Sequence, residues 1–137
     1  MSLSCNETKS CWLENLGNGK FKKHVLPVEA QFAPINSIVC NDVDGDGYKD
    51  LIIAGNEYQQ EVNTGRHDAS YGLFLKGDRE KTFKSVPSTV SGFIVDGDVR
   101  DMELVPLSNQ EKVLVVTVNN DSLRVFGIRN IQNPSIN

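Results

Sequence analysis

The stretch Asp42-Val43-Asp44-Gly45-Asp46-Gly47-Tyr48-Lys49-Asp50 decides how this chain of 137 residues is interpreted. It places four carboxylates within nine residues, and their mutual repulsion favours a bound cation. Ca²⁺ takes about 6–8 oxygen ligands in flexible loops, and glycines permit the tight backbone curl that directs ligands inward. We therefore predict a calcium loop that uses four side chains and one backbone carbonyl, from Asp42, Asp44, Asp46, Tyr48 and Asp50.

The same spacing begins an EF-hand loop, which requires a bidentate glutamate at its twelfth position. Here that position is Ile53, which cannot bind a metal, and a dockerin-type loop fails on the same residue. The flanking segments 37–40 and 51–54 are short, apolar and partly β-branched, which is typical of strands rather than helices. We therefore predict a metal loop at the tip of a β-hairpin. The alternative is an Asp- and Gly-rich turn that binds no metal.

Composition limits the classes of function to be considered. The formal net charge is −4, and four aspartates and one lysine in the stretch 42–50 contribute −3 of it. The nearly neutral remainder has no basic patch that would bind nucleic acid, and no apolar run approaches the roughly 20 residues of a transmembrane span. No signal peptide is recognisable. We expect residues 1–9 to be an added remnant or linker on a fragment that has lost its targeting signal.

The three cysteines form no metal-type pair. Cys5 and Cys11 could bridge in an oxidising compartment, and the sequence leaves that question open. Cys40 lies in a segment typical of a strand, and we expect it to be a buried small apolar residue.

Short apolar segments separated by turn residues predict an all-β chain. The turn 17–20, with sequence Gly-Asn-Gly-Lys, is a strong hairpin signal. The polar tail 130–137 contains a proline and is expected to fray. The predicted strands are approximately 10–16, 21–26, 36–41, 51–55, 71–76, 82–86, 99–106, 112–118 and 123–128.

A repeat underlies these strands. Phe21 corresponds to Phe83, and Leu51 to Val113, each pair being 62 positions apart. Repeats of about four short strands are typical of stacked propeller blades. The same shift takes the side-chain ligands of the metal loop to four residues that carry no carboxylate, so we predict no second metal loop: Leu104, Pro106, Ser108 and Lys112.

Residues 42–53 resemble the FG-GAP/VCBS repeat of integrin-α-type propellers, in which this loop joins the first two strands of a blade. Segments 26–36, 65–72 and 91–101 resemble the C-terminal part of large VCBS-repeat proteins of Bacteroidetes-like bacteria, related to the ASPIC/UnbV group. The resemblance covers about residues 10–128. It implies an extracytoplasmic, periplasmic or cell-surface propeller with structural Ca²⁺ and no established catalytic residues.

The expected fold is therefore all-β, a fragment of a β-propeller with about two blades of four-stranded antiparallel sheet. Numbering the strands of a blade A to D divides the chain into five parts. Residues 1–9 precede the blades, 10–27 supply C and D strands of one blade, 28–87 form a complete blade with the calcium loop, 88–129 form a last blade lacking a D strand and a calcium loop, and 130–137 are a tail. The unpaired edges at 10–16 and 123–128 are expected to promote self-association.

In an antiparallel meander, successive connections alternate between the two ends of the sheet. The long loops 27–35, 56–70 and 87–98 then share the end opposite the metal loop. Long loops on a rigid scaffold are where function concentrates. We expect Phe32 and Phe93 to fill gaps between blades, and the candidate ligand-binding residues are Tyr58, Arg66, His67, Asp68 and Tyr71.

Two classes of function remain. The first is a non-catalytic module that binds a protein or glycan, or serves as a scaffold, together with the remaining blades of a larger parent protein. The alternative is the propeller portion of a carbohydrate-active enzyme such as a polysaccharide lyase. The sequence contains no nucleophile elbow, zinc motif or phosphate-binding loop, and this favours the non-catalytic module.

Overall fold

The computed structural model describes residues 4, 6–59, 65, 67–108 and 111–128, and these form a series of antiparallel strands. All nine predicted strands are present, with single helical turns at Val28–Gln31 and Ser88–Ser91. The tail 130–137, Arg66 and Cys5 lie outside the described residues. The strands are β1 (Cys11–Gly17), β2 (Lys20–Val25), β3 (Ile35–Asn41), β4 (Asp50–Gly55), β5 (Leu73–Gly77), β6 (Phe83–Val86), β7 (Val99–Pro106), β8 (Lys112–Val118) and β9 (Arg124–Ile128).

The strands form three open antiparallel sheets, which confirms the all-β fold class. The first sheet contains β1 and β2, the second contains β3 to β6, and the third contains β7 to β9. Within each sheet, strands adjacent in sequence are adjacent in space, so each sheet is a simple meander. Among the described residues, β1 and β9 have a partner strand on one side only.

Strand β4 is buried on both faces and lies between two apolar cores. Its residues alternate between the faces, as a strand requires. Leu51 and Ile53 pack in a cluster with Leu26, which directly follows the first sheet. Ile52 and Ala54 pack in a second cluster with residues of the third sheet: Val99, Met102, Leu114, Val116 and Val118. The second sheet therefore separates the other two, and the three sheets are stacked.

Polar contacts tie the second and third sheets together along β3 and β7. The Ser37 hydroxyl donates to Oδ1 of Asp101 at 3.1 Å and accepts the Met102 N–H at 2.9 Å. The Asn36 side-chain amide donates to the Val99 carbonyl at 2.9 Å. Because Ser37 is buried, these bonds fix how the two sheets are placed relative to each other.

Of three side chains expected to lie between blades or in the core, Phe93 is buried and the other two are exposed. Phe93 is buried and contacts Phe126 edge-on, with ring centroids 5.1 Å apart, as expected of a residue that fills a gap between sheets. The same expectation for Phe32 is wrong, because its side chain is 57% exposed. Cys40 is also exposed, contrary to expectation. Its neighbour Ile38 on the same face of β3 is exposed too, because the two-stranded first sheet leaves the middle of β3 uncovered.

The shift of 62 positions holds between β1 and β5 but fails in β8. Trp12 and Phe74, 62 positions apart, both face the sheet that follows their own. In β8, however, it is Leu114 that faces the preceding sheet, as Leu51 does, and these two are 63 positions apart. A slip of one residue moves a side chain to the opposite face. Val113, predicted to match Leu51, therefore lies on the other face.

Asn56 joins the end of β4 to both neighbouring long loops. Its amide nitrogen donates to the carbonyls of Ser70 at 2.8 Å and Gly97 at 2.9 Å, and its Oδ1 accepts the Ser70 N–H at 3.0 Å. The residue is 1% exposed and has a positive φ of 94°. Asparagine suits this position for two reasons. It tolerates a left-handed backbone better than most residues, and its side chain carries both a hydrogen-bond donor and an acceptor.

We expect Asn56→Ala to lower the free energy of unfolding by about 3 kcal/mol or more, because it leaves buried backbone groups unpaired in a strained conformation. Urea denaturation measures the change. The matched control is Asn18→Ala, an exposed turn residue with φ 51°, which should lose only about 1 kcal/mol. Equal losses in the two variants would show that the buried hydrogen bonds of Asn56 contribute nothing.

Candidate metal centre

The aspartates of the loop between β3 and β4 accept hydrogen bonds from the backbone of the same loop. Both oxygens of Asp42 accept backbone N–H groups, from Gly45 at 2.8 Å and Gly47 at 2.9 Å. Asp44 accepts the Asp46 N–H at 3.1 Å. Gly45 and Gly47 have φ values of 79° and 90°, which glycine adopts at no steric cost. The short polar residues and glycines thus produce the curl that the sequence predicted.

Asp50, the first residue of β4, is the buried member of the set, with no exposed surface. Its Oδ2 accepts the Val43 N–H at 2.9 Å and its Oδ1 accepts the Gly77 N–H at 2.8 Å. A Cβ on Gly77 would lie 2.0 Å from the Lys49 carbonyl oxygen, so only glycine fits at this close approach. The carboxylate therefore connects the start of the loop with the end of β5.

Three of the predicted ligands converge. Asp42, Asp44 and Asp50 each offer one carboxylate oxygen, and these oxygens lie within 4.8 Å of one another. Asp46 is outside this group, although it lies in the same loop. Its Oδ1 accepts the Tyr48 N–H at 2.9 Å, and Tyr48 itself is 40% exposed. The converging donors are hard anionic oxygens, which are the donors that Ca²⁺ prefers.

Lys76 is a member of the site that the sequence reasoning missed. It lies on β5, and its ammonium group bonds Asp44 and, at 2.9 Å, Oδ2 of Asp46. The hydrogen bond from Lys76 holds the pKa of Asp46 below its usual value. The same two carboxylates raise the pKa of Lys76, Asp44 contributing more. No local spacing rule could have found this lysine, since it is 32 positions from Asp44 and reaches it only through the pairing of β4 with β5.

The candidate ligand-binding residues that the structure describes lie at the opposite end of the second sheet. The backbones of Glu57 and His67 exchange two hydrogen bonds of 2.9 Å and close the base of the long loop between β4 and β5. His67 and Asp68 are exposed, Tyr71 is 62% exposed, and Tyr58 is half-buried. Arg66 lies outside the described residues. The structure thus places exposed polar and aromatic groups at this end of the second sheet.

Asp98 is a further buried acid at this end of the stack, with 1% exposure. Its Oδ2 accepts hydrogen bonds from Arg100 at 2.5 Å and from the Asn119 amide at 3.1 Å. Its Oδ1 has no hydrogen-bond partner among the described residues. Arg100 also lies 3.7 Å from Glu57, so one guanidinium balances two acids beneath the long loops.

No protein-family model, curated protein or solved structure matches this chain. Within the described residues, no helix has the length and apolar character needed to cross a membrane.

We expect Asp50→Asn to lower the free energy of unfolding by about 1–3 kcal/mol even in EDTA, because an amide can accept only one of the two buried N–H bonds. Thermal and urea denaturation in EDTA measure this loss. The matched control is Asp46→Asn in the same loop, whose side chain is partly exposed and accepts a single backbone bond. If the two variants are equally stable in EDTA, the structural role of Asp50 is wrong.

Proposed function

We propose that this chain is a non-catalytic, extracytoplasmic binding or scaffolding module and forms part of a calcium-stabilised propeller of the FG-GAP/VCBS kind. The convergence of the Asp42, Asp44 and Asp50 carboxylates at one hairpin tip is the observation that carries the proposal. Ca²⁺ bound there would join the loop to the buried start of β4 and stabilise the folded state by mass action. Its role would be structural, because Asp50 already connects the loop to β5 through buried hydrogen bonds that the ion would reinforce.

The arrangement of the sheets also supports this proposal. Three successive meanders stack face to face, and the first strands of the second and third sheets, β3 and β7, lie against each other. A propeller has the same organisation, since the first strands of its blades line a common axis. The extracytoplasmic location rests on the sequence resemblance alone.

Calorimetric titration of the EDTA-treated chain with Ca²⁺ tests the metal site. We expect binding of one ion and a calcium-dependent rise in melting temperature. Asp44→Asn should diminish both effects, because it removes one of the three converging carboxylates. Asp78→Asn, a turn aspartate at the same end of the second sheet, serves as the matched control and should retain both. Unchanged melting after EDTA treatment, with no heat of Ca²⁺ binding, would disprove the site.

Lys76→Met should strengthen Ca²⁺ binding severalfold, because a bound Ca²⁺ then no longer competes with an ammonium group for Asp44 and Asp46. Without calcium the variant should melt lower than the wild type, since the carboxylates lose their only cationic partner among the described contacts. The control is Lys84→Met on β6, which removes a lysine paired with Asp78 at 3.2 Å. Weaker Ca²⁺ binding by Lys76→Met would contradict this account of the loop.

We propose that a protein or glycan partner binds the end of the stack formed by the long loops. Screening the chain on a glycan array provides a first ligand. His67→Ala and Tyr71→Ala should then weaken binding, because both side chains are exposed there. Lys20→Ala and Asp78→Ala, in turns at the metal-loop end, should leave it unchanged. The reverse pattern would place the binding surface at the metal-loop end.

A further inference from the structure

The first sheet has one covered and one uncovered face. Trp12 stacks on His24 at 4.3 Å and contacts Phe83 of the second sheet. The opposite face, which we call the hairpin face, carries Leu13, Phe21 and Val25, with exposures of 59%, 60% and 49%. At the position corresponding to Leu13, 62 residues later, Leu75 of the second sheet is fully buried. The hairpin face is thus of the kind that a preceding sheet in the stack buries.

The third sheet has an uncovered face at the other end of the stack. Register places Val105 opposite Val113, and Val115 opposite Val125, on the side away from the second sheet. We call these four valines the valine face. Val105 and Val125 are 39% and 58% exposed, and the other two are half-buried. On the second sheet, the corresponding face is buried through Ile52 and Ala54.

The valine face and the hairpin face are the two types of sheet face that meet at each junction inside the chain. We call the side of a sheet that points toward the next sheet in sequence its forward face, and the other side its backward face. At both junctions inside the chain, the forward face of one sheet packs on the backward face of the next. The valine face is a forward face and the hairpin face is a backward face, so a valine face and a hairpin face reproduce the junction already present twice. Two valine faces, or two hairpin faces, would not reproduce it. The complementarity favours a head-to-tail contact over a symmetric one.

Charge also favours this pairing. Lys23 lies opposite Leu13 on the hairpin face, whereas Lys22 lies opposite Glu14 on the covered face that carries Trp12. Lys23 forms an ion pair with Glu7 within the chain. The valine face carries an acidic group, because Glu103 lies opposite Val115 and is exposed. Acidic and basic groups at the margins of two apolar faces select the orientation of docking.

We propose that the chain associates with a second copy of itself, head to tail, the valine face of one copy covering the hairpin face of the other. Contiguous exposed apolar surface on a folded chain marks such an interaction site. A head-to-tail contact forms a closed ring if its rotation closes, and larger assemblies if it does not. The contact is independent of the metal loop, so its test separates it from the calcium proposal.

Sedimentation velocity of the complete chain, between micromolar and near-millimolar concentrations, tests the proposal. We expect the mass to rise with concentration above the 15.2 kDa of one copy, in EDTA as in calcium. Leu13→Glu and Val125→Glu should each raise the dissociation constant roughly tenfold or more, because each places a charge in an apolar contact. Val28→Glu is the control, a 66% exposed residue outside both faces, and should associate as the wild type does.

Mixing the two variants distinguishes head-to-tail contact from any other. Leu13→Glu retains its valine face and Val125→Glu retains its hairpin face, so an equimolar mixture should form a dimer that neither variant forms alone. A wild-type chain that stays monomeric throughout would overturn the proposal. A mixture that stays monomeric, although each variant is folded by circular dichroism and the wild type associates, would overturn the head-to-tail arrangement.

Discussion

Burial of both faces of β4 is the constraint on which the rest of this structure depends. All six residues from Asp50 to Gly55 are buried, so the strand needs a layer of structure on each side. The first sheet with the segment after it supplies one layer, and the third sheet supplies the other. A strand of this kind has no solvent face, and each added layer removes apolar surface from water. The stacking of three sheets follows from this one strand.

The two ends of β4 organise the two ends of the molecule. At its start, the Asp50 carboxylate accepts the N–H groups of Val43 and Gly77 and so fixes the acidic loop. Just after its end, Asn56 bonds Ser70 and Gly97 and fixes the long loops. The core strand thus positions the candidate metal centre and the candidate partner surface at opposite ends. Both surfaces depend on buried polar side chains that can be satisfied only when the strand is in place.

The same stacking rule explains why the ends of the stack are apolar. A sheet that has a neighbour on each side requires apolar residues on both faces, as the second sheet has. The first and third sheets follow the same pattern, but among the described residues each has one neighbouring sheet. Leu13 and Val125 are therefore exposed at positions that resemble core positions. The stability of the fold and the proposed association thus have one physical origin, which is burial of the two faces of each sheet.

The sequence by itself determined the strands, the meander order and the acidic hairpin loop, because alternation of apolar residues and turn chemistry are local properties. It also identified Asp42, Asp44 and Asp50, whose convergence follows from a short loop. Only the tertiary structure decided that Lys76 joins this loop, that Phe32 and Cys40 are exposed, and that Leu114 rather than Val113 corresponds to Leu51. These features depend on which strand lies beside or above a residue. A one-residue change of register reverses the face without changing the local pattern.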